Sequence, residues 1–188
     1  MSARTQALRF ALNFFRHPYM LGSLVPSSRF LVDDVMARVD WQKAKVVVEY
    51  GPGVGTITQE VLKRMGPDAT LIAIELNPNF FRVLEEEIHD PRFRLVHGSA
   101  LNVRQVLREL NLPNADYIIS GIPFSTMRAS LRRGIAQEAR QALQPEGALV
   151  VYQFTRVALP YLESNFTSVR RAFQLWNILP AHIYYCTP

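Results

Sequence analysis

Apolar positions along this chain fall into two alternating rhythms. Short unbroken apolar runs come first in each repeat: "KVVVEY" (45–50), "TLIAIE" (70–75), "FRLVHG" (93–98), "ADYIIS" (115–120) and "GALVVYQF" (147–154). Runs this short and this rich in β-branched residues predict strands buried on both faces, as in a parallel sheet. Between them, apolar residues recur at helical spacing near 56–65, 78–88, 102–110 and 128–142. Strand alternating with helix predicts a doubly wound α/β sheet. Two further helices are expected upstream. In "ARTQALRFALNFFR" (3–16), Ala7, Leu8, Ala11, Leu12, Phe14 and Phe15 keep helical spacing with arginines on the flanks, and Pro18 and Gly22 end the pattern. Over 28–39, Leu31, Val35 and Val39 form one row with Val32 and Met36 beside it, and Ser27 or Ser28 is placed to cap the helix. Near the end, "VRRAFQLWNIL" and "AHIYYC" follow each other with Pro180 in the turn and no helix between. They read as an antiparallel pair closing the sheet edge.

Composition narrows the class. The 188 residues are 48% hydrophobic and 20% charged, enough for one domain with a sizeable core. One cysteine, Cys186, excludes an internal disulfide framework and fits a reducing cytosol. No apolar run is long enough to span a bilayer, and Arg4, Arg9 and Arg16 break up any secretory signal. The net charge of +5 is unevenly placed. No acidic residue precedes Asp33, and Arg128, Arg132 and Arg133 form a second basic group. The 18 arginines against 3 lysines favour bidentate recognition of phosphate, or simply a solvated basic surface.

The first strand runs into "VVVEYGPGVGTI", where Gly51, Gly53 and Gly55 stand at a strand-to-helix turn. Glycines there let backbone approach a ligand, and the helix that follows turns its free amides toward it. Glu75 ends the next strand, placed to take both hydroxyls of a ribose. A dinucleotide site is the first comparison, but the spacing is G-x-G-x-G and Glu49 stands two positions before the first glycine. A carboxylate there repels a pyrophosphate and attracts an ammonium or sulfonium group. The ligand should carry ribose and positive charge and lack phosphate. S-adenosylmethionine meets all three conditions.

E-x-G-x-G-x-G with a strand-end Glu resembles the class I S-adenosylmethionine-dependent methyltransferases, from about Ser27 to the end of the chain. The resemblance implies a Rossmann-like, seven-stranded sheet whose last strand is antiparallel, with S-adenosylhomocysteine (SAH) as product. It implies that Glu75 and Leu76 meet the ribose side of the cofactor. Gly51, Gly53 and Gly55 would pack against its methionine part with Glu49, and Ser99 and Ala100 would lie beside adenine. Many relatives have Asp where Ser99 stands; a serine accepts from the adenine amino group more weakly. Ser28 and Ser120 complete the implied cofactor contacts, and no metal is implied.

The fourth strand ends "SGIPFSTM". Relatives that methylate adenine or glutamine amides carry Asn or Asp there, then x-Pro-Tyr or x-Pro-Phe. Here the Pro-aromatic pair is kept and Ser120 lacks the carboxamide. Phe124 offers an aromatic face to a cationic centre, and Tyr19 is a second candidate aromatic. Four segments together, "FFRHPYMLGSLVPSSRFL", "EYGPGVGTIT", "SGIPFSTM" and "LWNILPAHIYY", resemble the short bacterial phospholipid N-methyltransferases, which convert phosphatidylethanolamine to phosphatidylcholine. That implies catalytic roles for Tyr19, Ser120 and Phe124, and headgroup contacts from Arg16, Ile122, Pro123 and Arg128. It also implies a peripheral enzyme on the inner face of the cytoplasmic membrane.

The physics of the N-terminus agrees. Residues 1–26 are expected to form an amphipathic helix and lid, and 27–188 the catalytic core of a single domain. A basic helix over 3–16 would lie in an anionic headgroup plane with Leu8, Leu12, Phe14 and Phe15 inserted, or pack over the sheet as a lid. No Asp, Glu or His occurs within 117–128, so His17, Tyr19 or a water is the candidate base for the acceptor amine. Two other enzymes compete: a ribosomal RNA adenine N6-dimethyltransferase and a small-molecule amine methyltransferase. The RNA reading expects a further helical domain after the sheet, whereas this sequence ends at Pro188, so nucleic acid is the less expected partner. A catalytically silent membrane-binding protein is the remaining alternative, and the intact Glu49, Gly51, Gly53 and Glu75 speak against it.

Overall fold

The structure, a computed structural model, describes residues 28–177 and 179–188. Arg16, His17, Tyr19 and the helix expected over 3–16 lie outside the described residues.

The described chain runs α1 (Arg29–Met36), β1 (Val46–Tyr50), α2 (Thr56–Arg64), β2 (Thr70–Glu75), α3 (Pro78–Glu87), β3 (Phe93–His97), α4 (Val103–Glu109), β4 (Ala115–Ser120), α5 (Ala129–Ala142), β5 (Leu143–Gln153), α6 (Leu159–Glu163), β6 (Ser168–Gln174) and β7 (Ala181–Thr187). Single 3-10 turns at Ala100–Asn102 and Phe124–Thr126 precede α4 and α5. The strands form one seven-stranded sheet in the order β3-β2-β1-β4-β5-β7-β6. β7 runs antiparallel to both β5 and β6, and the other pairings are parallel. This is the doubly wound class I methyltransferase sheet that the sequence predicts, with its last strand reversed.

Both faces of the sheet are covered, so β1 is buried at every position. Val46, Val48 and Tyr50 face a core layer completed by α4, α5 and α6, and Val47 faces the layer of α1 and α2. α5 buries Ile135 with Ala136, Ala139 and Ala142, and the three alanines allow close approach to the sheet. α1 is shorter than the expected 28–39 and is capped by Ser28, whose oxygen accepts from Leu31 N. β5 starts at Leu143, directly after α5, before its apolar run begins. Its register against β4 shifts between Ala115 and Tyr117. Gly147 lies at that irregularity, and a Cβ there would meet Asp116 O at 2.8 Å. The short α6 was not legible in the sequence. Pro160 opens it, with a ring that fits a first turn.

A parallel sheet brings the carboxyl ends of its strands to one edge. Here that edge gathers the loops after β1, β2 and β4, and so Glu49, the glycines, Glu75 and the Gly121–Phe124 turn.

Candidate active site

The glycine loop is shaped by what surrounds it. Gly51 has φ +67°, and a Cβ on it would lie 2.6 Å from Ile122 Cγ2. Gly55, at φ +81°, precedes α2, and a Cβ there would lie 2.9 Å from Leu84 Cδ2. Both positions therefore need glycine for conformation and for space. Gly53 N donates to Glu75 Oε2 at 3.1 Å, and Asn77 N donates to Glu75 Oε1 at 2.8 Å. Burial raises the Glu75 pKa, and backbone N–H bonds from Asn77, Gly53 and Leu76 partly offset it. The second strand's carboxylate is thus fixed against the loop of the first, with a lone pair free on each oxygen for a diol.

Glu49 is 1% exposed. Thr58 Oγ1, on α2, donates to its Oε2 at 2.7 Å, and its Oε1 has no partner. Burial pushes its pKa up to about 8; the Thr58 bond opposes this and the charge of Glu75 adds to it. A buried carboxyl with one oxygen unmatched is a socket for a cation, and an ammonium beside it would restore its ionised form. The donor set fits S-adenosylmethionine: Glu49 for its ammonium, the loop backbone for its carboxylate, Glu75 for its ribose. Leu76, 68% exposed just after β2, offers an apolar wall for adenine. His97 lies nearby, its Nε2 3.1 Å from Leu76 O, and Ala100 is buried opposite. Ser99 spends its oxygen on capping, accepting from Leu101 N at 3.3 Å, so the adenine contact expected of it competes with a backbone bond.

Three expected site residues lie elsewhere than the sequence implied: Ser120 and Phe124 around the turn after β4, and Ser28 at the start of α1. Ser120 does not open into the cleft. It is 1% exposed, its Oγ is buried without a partner, and it pairs in register with Tyr50, whose hydroxyl is equally buried and unpartnered. The position two before Pro123 is Gly121, so the place of an Asn or Asp in the x-Pro-aromatic pattern falls on Gly121 and not on Ser120. Phe124 does not present its ring to a cation. It is 1% exposed within the layer of α5 and α6 because the 3-10 turn rotates it inward. Ser28, assigned to the cofactor, is committed elsewhere. Its Oγ donates to Trp176 O and its N donates to Asn177 Oδ1, both at 2.8 Å. Ile122 and Pro123 stay half-buried beside the glycine loop, and Arg128 is exposed just before α5.

Two residues of β5 that the sequence did not single out meet this turn. Gln153, 5% exposed, donates from Nε2 to Ile122 O at 2.6 Å and accepts at Oε1 from Phe124 N at 3.2 Å. It clamps the turn from its neighbouring strand. Arg132 adds a bond from Nε to Phe124 O at 2.8 Å, so this member of the basic group is a structural tie. Tyr152 fills the space left by Gly121: a Cβ on Gly121 would lie 2.1 Å from the Tyr152 hydroxyl oxygen. Burial, with the charge of Glu49, raises the Tyr152 pKa, so the phenol stays protonated at neutral pH. A lone polar residue in the apolar run "GALVVYQF" was the available signal for Gln153. Nothing in the pattern pointed to Tyr152.

Comparison with known proteins agrees with this geometry. Residues 21–123, more than half of the chain, match the family described as ribosomal RNA adenine dimethylase. An ornithine lipid N-methyltransferase of Singulisphaera acidiphila is 31% identical over 179 residues, spanning 94% of this chain and 93% of that protein. A ribosomal RNA small subunit methyltransferase A of Dehalococcoides mccartyi is 31% identical over 135 residues, 71% of this chain but only 43% of that protein. Among solved structures, human methyltransferase-like protein 13 in complex with SAH superposes with a TM-score of 0.64 at 15% identity, covering 83% of this chain and 79% of that one.

Proposed function

The chain belongs to the ribosomal RNA adenine dimethylase family, and we propose that this S-adenosylmethionine-dependent methyltransferase methylates the primary amine of a membrane lipid headgroup. The reading is carried by one observation: the lipid N-methyltransferase relative matches along nearly the full length of both chains. The ribosomal RNA relative is matched over less than half its length. Ornithine lipid is the acceptor named for that relative. Phosphatidylethanolamine is the acceptor implied by the sequence resemblance. Both present an amine close to an anionic group.

S-adenosylmethionine, when bound, supplies an electrophilic methyl on a sulfonium. The protein's part is placement. Glu49, Glu75 and the Gly51–Gly55 backbone hold the cofactor at the ends of β1 and β2. Gln153 and Arg132 fix the Gly121–Phe124 turn beside it. The Tyr152 hydroxyl stands at Gly121 with a lone pair for an amine N–H, taking the place of a side-chain amide. That lone pair aims the amine nitrogen, and closure of the cleft removes competing water. The acceptor sits in a bilayer, so the enzyme is read as peripheral on the cytoplasmic face, with Arg16 and Arg128 as candidates for the headgroup anion.

The test is incubation with methyl-labelled S-adenosylmethionine and vesicles of phosphatidylglycerol carrying either ornithine lipid or phosphatidylethanolamine, followed by separation of the lipids. Label in methylated lipid from either vesicle supports the reading and selects the acceptor. A parallel incubation has ribosomal RNA in place of the vesicles, and label in the RNA with both lipids unlabelled overturns the reading.

A further inference from the structure

We infer that the β6–β7 turn is a membrane-inserting tip that seats the mouth of the cofactor cleft on a lipid surface. Six large apolar side chains are exposed among the described residues: Phe30, Leu76, Phe173, Leu175, Trp176 and Leu179. All six lie at one edge of the sheet. β6 runs parallel to β5 because β7 is antiparallel to both, so the turn after Gln174 emerges where β1, β2 and β4 also end. Leu76 follows β2 directly, and Phe30 is brought there by Ser28, which bonds Trp176 O and Asn177. The opposite edge exposes no such side chain among the described residues. Scattered apolar residues need no explanation, but segregation to a single edge does.

The tip is built to enter an apolar phase. Trp176 and Leu175 are 74% and 64% exposed. Several polar groups of the turn are paired. Trp176 N donates to Gln174 Oε1 at 3.0 Å, Asn177 Nδ2 donates to Leu179 O at 2.9 Å, and Ser28 supplies two more bonds. A loop whose polar groups are paired internally loses less on leaving water. Phe30 lies under the indole, ring centroids 6.5 Å apart, and supports it from α1. Tryptophan favours the boundary between headgroups and acyl chains, where its ring is apolar and its N–H finds an acceptor.

The charge around the tip selects a lipid surface. No acidic side chain follows Glu163, and Arg170 and Arg171 are exposed on β6. On α1, Asp33 pairs with Arg29 and Arg64, and Asp34 pairs with Arg38. The first 27 residues, which contain no Asp or Glu, join the described chain at Ser28, on this same edge. An anionic bilayer complements this surface. The inference extends the lipid reading above and is tested apart from it.

The chain has two tryptophans, and Trp41 is half-buried with its Nε1 donating to Met36 O at 3.0 Å. Trp41→Phe in the full chain leaves Trp176 as the only reporter. Its emission should shift to the blue on adding phosphatidylglycerol–phosphatidylethanolamine vesicles, and brominated acyl chains should quench it. Trp176→Ala should lower vesicle partitioning about tenfold or more, with cofactor affinity and melting temperature unchanged. Unshifted emission from protein that sediments with vesicles overturns the inference. So does failure to sediment. Emission already blue in buffer and unchanged by vesicles means that the tip is covered by residues 1–27 or, if concentration-dependent, by a second copy, and it overturns the inference too. An inserted Trp176 without lipid methylation leaves this inference standing and removes the proposed substrate. Lipid methylation with an unshifted Trp176 does the reverse.

Discussion

Replacing Glu49 by glutamine should flatten the pH dependence of the protein's stability while removing its hold on the cofactor. In the folded chain, burial lifts this carboxyl from 4.5 to about 8. Below pH 4.5 it is protonated whether the chain is folded or not, and it contributes nothing to the slope. Between 4.5 and 8 the unfolded chain releases the proton and the folded chain keeps it, so stability falls as pH rises. One proton costs about 1.4 kcal/mol per pH step, so the loss from pH 5 to pH 8 is about 4 kcal/mol. In a chain of this size each kcal/mol moves the melting temperature by roughly 2–4 °C. Thermal melts of the cofactor-free protein and of Glu49→Gln, followed by circular dichroism at pH 5, 6.5 and 8, isolate this group by difference. The variant should gain on the parent by about 8–16 °C across that range. Added S-adenosylmethionine should reverse the order: it should stabilise the parent more at pH 8 than at pH 6 and leave the variant nearly unmoved. Parallel melting curves for the two proteins at all three pH values would refute the reasoning.

Other perturbations test other parts of the site. Glu75→Ala should weaken S-adenosylmethionine binding about tenfold or more by calorimetry, as a charge-assisted bond to the ribose is lost; unchanged affinity removes Glu75 from the site. Gly121→Ala places a Cβ 2.1 Å from the Tyr152 hydroxyl oxygen; it should cut kcat/KM for the lipid acceptor by more than it weakens cofactor binding, and full activity would show that the phenol has no part in placing the amine. Gln153→Leu leaves Ile122 O and Phe124 N without their partner, a cost of about 2 kcal/mol readable in the urea midpoint. A midpoint within error of the parent would show that the clamp is dispensable.

The sheet was legible because each strand is a short apolar run and each helix between has its own period. The antiparallel final pair followed from the lack of a helix between its two apolar runs, and the reversed last strand from the family resemblance; the strand order came from the structure. The convergence of Glu49, the glycines and Glu75 was equally legible, since strand ends that sequence alone can place bring them to one edge. The turn after β4 was not. Whether Ser120 or Gly121 faces the cleft depends on where β4 stops pleating, a one-residue matter that a composition of Ile, Ser and Gly does not mark. Phe124 looked available because aromatic residues after a strand often line clefts, but a 3-10 turn carries it inward. Tyr152 and Gln153 come from a neighbouring strand about thirty residues later, and their meeting with the turn is a fact of sheet register. Leu175 and Trp176 belonged to an apolar stretch whose exposure no periodicity announced.

The contact between Ile122 and Gly51 has a kinetic consequence. On the proposed reading the two loops serve different substrates, and a methyl group of Ile122 rests where Gly51 lacks a side chain. Any displacement of the acceptor turn must pass into the glycine loop, so occupancy of one subsite is felt as affinity at the other. Turnover should then favour an order of addition, with the bound cofactor setting the turn before an amine arrives.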